Sequence, residues 1–292
     1  MVTFYRRLPE FDYLKPSTLD EALDYLAQGG KGKIMVYAGG TDVIPKLKGR
    51  LVDIPAKLLD LKGISGLDYI RYDDGTGLRI GALASIFAVG NSSLVQEKYP
   101  ILAQAARSIA ATQVQNRGTV VGNICNAIPS ADAVSALLCL NAKIICVRKG
   151  GERTVELNKF FVGPGLTDLA SNEIVTEVQV PPMIAGGHGT YIKFGPRSRM
   201  DCALVGVAAV AATENGIFKD ARIGLGSVAP TPIRAVRAEK LLVGKPVTEE
   251  VISGAARAAS DESRPIDDHR ASAEYRRMLV EALVGRAIRQ VI

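Results

Sequence analysis

Tryptophan is absent, histidine occurs twice, and the four cysteines (Cys125, Cys139, Cys146 and Cys202) form no C-x-x-C pair. Those shortages argue against a zinc or iron–sulfur site held within the chain, and free buried thiols are the simpler reading. His188 sits in a glycine-rich linker and His269 in a charged segment, without a neighbouring triad or metal ligand in the sequence. No long apolar run is present either. The longest, "CALVGVAAVAAT" from Cys202, is about half the roughly 20 residues a membrane span needs. The N-terminal "MVTFYRRLPEFDYLKP" has no apolar h-region or small-residue cleavage site, so the expected location is cytoplasmic. Aromatic residues make up 5% and interleave with no basic patch, so the net charge of +6 suits solubility or docking better than nucleic acid.

What is present is ordinary globular composition, 47% hydrophobic and 23% charged, in 292 residues, enough for two or three units. Thr18-Leu-Asp-Glu21 fits a capping box, Leu19, Leu23 and Leu26 recur at helical spacing, and Gly29-Gly30 ends the helix. "KIMVY" at 33–37 predicts a buried strand, and "VIPKLKGR" a helical turn. From Ala56 come short strands, "AKLLDL", "LDYIRY" and "LRIGAL", the last two joined at Asp73-Asp74-Gly75. A helix over 94–110, a helix from Asp132 to about Asn141, and the strands "KIICVR" and "RTVEL" follow. Pro181-Pro182 with Gly186-Gly187 marks a boundary. Beyond it three strands, two of them turning at Glu214-Asn215-Gly216, precede three helices. The expected fold class is α+β: a small α/β unit (1–55), a larger α+β unit (56–180), and an antiparallel sheet with a helical cluster (181–292).

Two stretches carry the chemistry. Ala38-Gly39-Gly40-Thr41-Asp42 follows a strand and is nearly free of bulky side chains, so its main-chain amides can approach an anion closely. It has neither the lysine of a P-loop nor the G-x-G-x-x-G spacing of a Rossmann turn. "NRGTVVGNICNAIPSAD" at 116–132 brings Gly118, Thr119, Gly122 and Asn123, with Ser130 and Asp132 behind them. Two such loops can grip a diphosphate from both sides. Charge-assisted hydrogen bonds contribute about 1.5–3 kcal/mol each, so four or five supply much of the ~8 kcal/mol that micromolar binding needs.

"AGGTD", then "NRGTVVGN" and "SAD", resemble the FAD-binding subunit of the molybdenum hydroxylases, the family of xanthine dehydrogenase and aerobic carbon monoxide dehydrogenase. "SNEIVTEVQVP", "YIKFGPRSRMDCALV" and "GSVAPTPIRA" extend the likeness from end to end. The resemblance implies that Val36, Ala38, Gly39, Gly40, Thr41, Asp42 and Val43, with Gly118, Thr119, Gly122, Asn123 and Cys125, hold FAD noncovalently. It also assigns Ile109, and Ile174 or Val175, to the cofactor's surroundings. Asp132 matches an acid that contacts the cofactor's hydroxyl-bearing portion, with helix N-cap as the bland alternative. Lys193 matches a residue beside the flavin, although an alternating strand would turn a lysine to solvent anyway. Some relatives carry a tyrosine where this chain has Cys202.

The same resemblance implies a small subunit with 2Fe-2S clusters, a large subunit with the molybdopterin cofactor, and an external acceptor such as NAD or a quinone. Two rival readings stay open: a stand-alone FAD-dependent reductase or oxidase of the same FAD fold, and a non-catalytic nucleotide-binding module.

Overall fold

β1 (Asp12–Leu14), α1 (Leu19–Gly29), β2 (Ile34–Tyr37), α2 (Val43–Gly49) and β3 (Lys57–Asp60) form the first unit of this computed structural model, which describes residues 7–30, 32–197 and 199–292. The opening "MVTFYRRLPEFDYLKP" thus lies partly outside the described residues. Thr18 caps α1 by accepting from the Glu21 amide, while Glu21 reaches back to the Ser17 amide at 2.8 Å. The helix turns Ala22, Leu23 and Leu26 inward. They meet Leu59 of β3, which runs parallel to β1 and to β2 in a sheet ordered β1-β3-β2. "AKLLDL", expected in the middle unit, therefore belongs to the first sheet, because its apolar residues complete the core that α1 needs.

The middle unit continues with β4 (Ile70–Asp73), β5 (Gly77–Gly81), α3 (Ile86–Asn91), α4 (Ser93–Lys98), α5 (Pro100–Ser108), α6 (Thr112–Gln115), α7 (Val120–Cys125) and α8 (Asp132–Cys139). Then come β6 (Lys143–Arg148), β7 (Gly151–Glu156), α9 (Leu157–Phe160), β8 (Phe161–Gly163), β9 (Leu166–Thr167) and β10 (Ile174–Val180). The antiparallel sheet is ordered β4-β5-β10-β6-β7, so the last strand in sequence is the central one. The helix expected over 94–110 breaks at Tyr99. Pro100 cannot donate to a preceding turn and instead starts α5, while the buried Tyr99 hydroxyl donates to the Pro181 carbonyl at 2.9 Å.

β11 (Gly187–Phe194), β12 (Val205–Glu214), β13 (Ile217–Gly226) and β14 (Ile233–Arg234) make an antiparallel sheet in chain order. It has one strand more than the three expected, the fourth being only two residues long. Asn215 and Gly216 take φ of 51° and 73° at the predicted turn, as a tight hairpin connection demands. α10 (Val236–Leu242), α11 (Glu249–Glu262) and α12 (Ala273–Arg289) cover one face. Along β12, Val205, Val207, Ala209 and Ala211 pack on those helices, whereas Ala208 and Val210 join the core of the middle unit. Burial on both faces accounts for the unbroken apolar run. Among the described residues no helix is long and apolar enough to cross a membrane.

Candidate cofactor-binding site

The first glycine loop leaves the carboxyl end of β2. Gly40 has φ of 74°, and a Cβ there would fall 2.3 Å from the Tyr37 ring, so glycine is required on both counts. Among the described residues the amides of Gly39, Gly40 and Thr41 have no protein acceptor. The second loop turns into α7, with Thr119 Oγ1 accepting from the Gly122 amide at 2.9 Å. A Cβ on Gly39 would lie 2.0 Å from the Arg117 carbonyl oxygen, and one on Gly118 would lie 3.3 Å from Thr41 Oγ1. The loops are thus in direct contact, and bare backbone lets them meet.

They share the wall of one cavity of about 480 Å³, within the range of small-molecule sites. Of the residues proposed from sequence, Gly39, Gly40, Thr41, Asp42, Val43, Gly118, Thr119, Gly122, Asn123 and Cys125 line it, joined by Ile109 and Asp132. Five others do not. Val36 packs beside the first unit's core, Ile174 is buried within that core, and Val175 is buried in the middle one, since β10 is covered on both faces. Ala38 lines a second cavity behind the loops with Lys62 and Arg117. Lys193 reaches the site only through Asp132.

The hydrogen-bond donors also differ from expectation. In the second loop the amides of Gly118, Gly122 and Asn123 are taken by Val114 O, Thr119 Oγ1 and Thr119 O. What this loop offers instead is side chains: Asn123 Oδ1 and Asn126 Nδ2 are buried with no partner among the described residues. Orphaned buried polar atoms are rare, and an acceptor beside a donor suits a ligand bearing both hydroxyls and phosphate oxygens. Lys46, one turn into α2, donates to Asn126 Oδ1 and brings a positive charge to the cavity wall. Lys46 and Asn126 were not singled out from sequence. Their signal is helical spacing, Lys46 three residues after Val43 and Asn126 three after Asn123.

Asp132 is the first residue of α8, but its carboxylate makes no cap bond, so the N-cap alternative does not hold. It accepts from Lys193 Nζ at 2.8 Å and from the Tyr191 hydroxyl at 2.6 Å. Lys193 also donates to Ser108 O at 3.0 Å, which keeps it from solvent despite the strand's alternation. Burial pushes the Asp132 carboxyl above its ordinary range even against Lys193 and Tyr191, and burial raises the Tyr191 phenol well above its own. Burial drives the Cys125 thiol up to about 12, which favours its protonated form. At the cavity's edge stand Asp201 and the exposed Cys202. Ala110 lines the same edge with φ of 45° and accepts from the Met200 amide at 3.2 Å.

Fold and cavity together define a protein with a small-molecule-sized cavity walled by two side-chain-poor loops, one from each of its first two units. Residues 9–183 match the family described as FAD binding domain in molybdopterin dehydrogenase, and residues 190–291 match the CO dehydrogenase flavoprotein C-terminal domain. The chain is 35% identical to the glyceraldehyde dehydrogenase medium chain of Sulfolobus acidocaldarius, over 97% of this chain and 99% of that one. It is 33% identical to the nicotine 6-hydroxylase medium subunit of Paenarthrobacter nicotinovorans, over 97% of each. Carbon monoxide dehydrogenase from Hydrogenophaga pseudoflava, solved lacking the Mo-pyranopterin moiety of its molybdenum cofactor, superimposes with a TM-score of 0.93 at 35% identity, over 97% of each chain. The chain belongs to the FAD-binding medium subunits of the molybdenum hydroxylase family.

Proposed function

We propose that this subunit takes electrons from 2Fe-2S clusters of a small partner subunit and passes them to an external acceptor, NAD or a quinone. A large subunit carrying the molybdopterin cofactor oxidises the substrate. FAD, when bound, supplies the exchange between one-electron and two-electron carriers. The chain's own residues position it. The free amides of Gly39, Gly40 and Thr41, with Lys46, would hold the diphosphate, and Asn123 and Asn126 would bond its polar groups. Asp132, fixed by Tyr191 and Lys193, offers a carboxylate to the hydroxyl-bearing portion. The observation that carries the reading is the direct contact of two side-chain-poor loops on a cavity with two unpartnered amide atoms. Among the described residues there is no cluster of metal-ligating side chains, so the reading assigns the other centres to partners. A cytoplasmic location goes with it.

A stand-alone FAD-dependent reductase would use the same cradle but bring its own substrate site. Purification from the native source distinguishes the two. Three polypeptides with iron, molybdenum and FAD, in which substrate bleaches the flavin, are the expected result. A yellow protein of this chain alone that turns over substrate unaided would replace the reading. A colourless chain that fails to take up added FAD would remove both and favour a nucleotide-binding module without flavin.

A further inference from the structure

Behind the first glycine loop, Lys62 contacts three groups at once. Its ammonium donates to the Ala38 carbonyl at 3.0 Å and to Asp60 Oδ1 at 2.8 Å, and it sits 3.8 Å from the centroid of the Tyr37 ring. Each partner is itself fixed. Asp60 is 1% exposed, accepts from the Tyr13 hydroxyl through its other oxygen, and caps the turn after β3 through the Lys62 amide at 2.9 Å. The Tyr37 ring fills the space where a Cβ on Gly40 would lie. The charge, although partly exposed, is therefore one end of a wired group, Tyr13 to Asp60 to Lys62, that ends on the loop.

We propose that Lys62 is a positioning residue for the diphosphate of FAD, acting through the Ala38–Gly39 peptide and not by touching the cofactor. The peptide unit is planar and trans, so its carbonyl and the following N–H point in opposite directions. Lys62 and Ala38 line the rear cavity, Gly40 and Thr41 line the front one, and Gly39 stands between them on the wall of both. Pulling the Ala38 carbonyl to the rear turns the Gly39 N–H to the front, where it has no protein acceptor among the described residues. A cation at the carbonyl end also polarises that peptide, making its N–H a stronger donor to an anion. The cation–π contact holds Tyr37 under Gly40 and thereby sets the next peptide as well.

The inference rests on the first loop facing the diphosphate, and wild-type binding is the control for that. FAD and riboflavin, which lacks the diphosphate, are titrated into the apo chain in wild type, K62M and K62R, following flavin fluorescence, with apo-protein melting measured in parallel. K62M should weaken FAD by about tenfold or more while riboflavin changes little, so that the preference for FAD narrows. K62R should recover a substantial part of that preference by restoring the charge and the donor. Unchanged FAD affinity in K62M, or an equal loss of FAD and riboflavin, would overturn the proposal. If K62M proves unstable because Asp60 loses its counter-ion, Y37L keeps Lys62 and Asp60 paired and removes only the ring. A narrowed preference in that variant supports the proposal, and an unchanged one opposes it.

Discussion

At Gly39 an alanine methyl would lie 2.0 Å from the Arg117 carbonyl oxygen, a rigid backbone atom that cannot turn aside. The cheapest relief is to part the two loops, which opens the cradle itself. Gly39→Ala should therefore destabilise the apo chain by about 1–3 kcal/mol and abolish measurable FAD binding, read by urea unfolding and flavin titration. Gly122→Ala is a useful contrast. Its methyl would meet Thr119 Oγ1 at 2.9 Å, a side-chain atom whose loss costs an N-cap, so a loss of about 1 kcal/mol with weakened FAD binding is expected. The glycines of the two loops thus have one composition and different reasons. One makes room for backbone and the other for a cap, whereas the sequence alone suggested room for the ligand.

Asp132 and Lys193 make a second residue-scale case. Lys193→Met leaves a buried carboxylate without its cation, which should cost about 3–5 kcal/mol at neutral pH. Burial already raises the folded Asp132 value above its ordinary 3.8, and removing Lys193 raises it further. A raised acid is stabilising only while protonated: the contribution is present below its unfolded value and is lost as pH rises through the folded one. The penalty of K193M should accordingly shrink as pH falls toward 4 and grow to a plateau above the new folded value. Denaturant midpoints of both proteins across that range test it. A pH-independent penalty would show that Lys193 stabilises by packing alone.

Elements differed in how plainly the sequence announced them, and the difference is physical. α1 carries its cap, its period and its glycine stop in contiguous residues, and both hairpins carry their turns, so local chemistry decides them. β10 has no alternation because nearly every residue is buried, and its neighbours β5 and β6 lie far away in sequence. "TVVGNIC" has four β-branched residues and a glycine, poor helix formers, yet Thr119 caps it and Ile124 with Val120 buries it as α7. The loops and Asp132 were legible because their residue types are unusual. Lys46 and Asn126 were not, since a lysine or asparagine on a short helix says nothing until the neighbouring loop is placed. Glu173, just before β10, offers a test of how that strand is held. Its carboxylate takes two bonds from Arg153, at 2.8 and 2.9 Å, and one from the Ala170 amide, and Arg153 holds it below its ordinary 4.5. A lowered acid stabilises above its unfolded value and loses that contribution as pH falls through the folded one. Glu173→Gln should therefore be less stable near neutrality, by about 1 kcal/mol given the partly exposed arginine, and should show a shallower loss of stability below about pH 4.5.

At the scale of the whole molecule, the cavity falls between two units, the first with a core built on α1 and its parallel sheet and closed by Ile174 of β10, the second with a core built on the five-stranded sheet. At the site they meet through the backbone packing of Gly39 on Arg117 and Gly118 and through the Lys46 bond to Asn126. The C-terminal sheet is tied in differently, with Ala208 and Val210 buried in the middle core and the Tyr191 amide donating to Gln104 Oε1 at 2.8 Å. A ligand spanning the first two units therefore adds to the apolar joint at Ile174 in holding them together, while the third unit is joined without it. FAD at about a hundredfold excess over its Kd should stabilise the chain by about 2.7 kcal/mol, an increase of about 4–5 °C in melting temperature. Hydrogen exchange should place that protection unevenly. Amides of β2, the first loop, α2 and α7 should slow on FAD addition, with the β12–β13 hairpin and α12 unchanged. Uniform slowing across all three units would mean that the cofactor reports global unfolding, and that the first unit does not open on the second by itself.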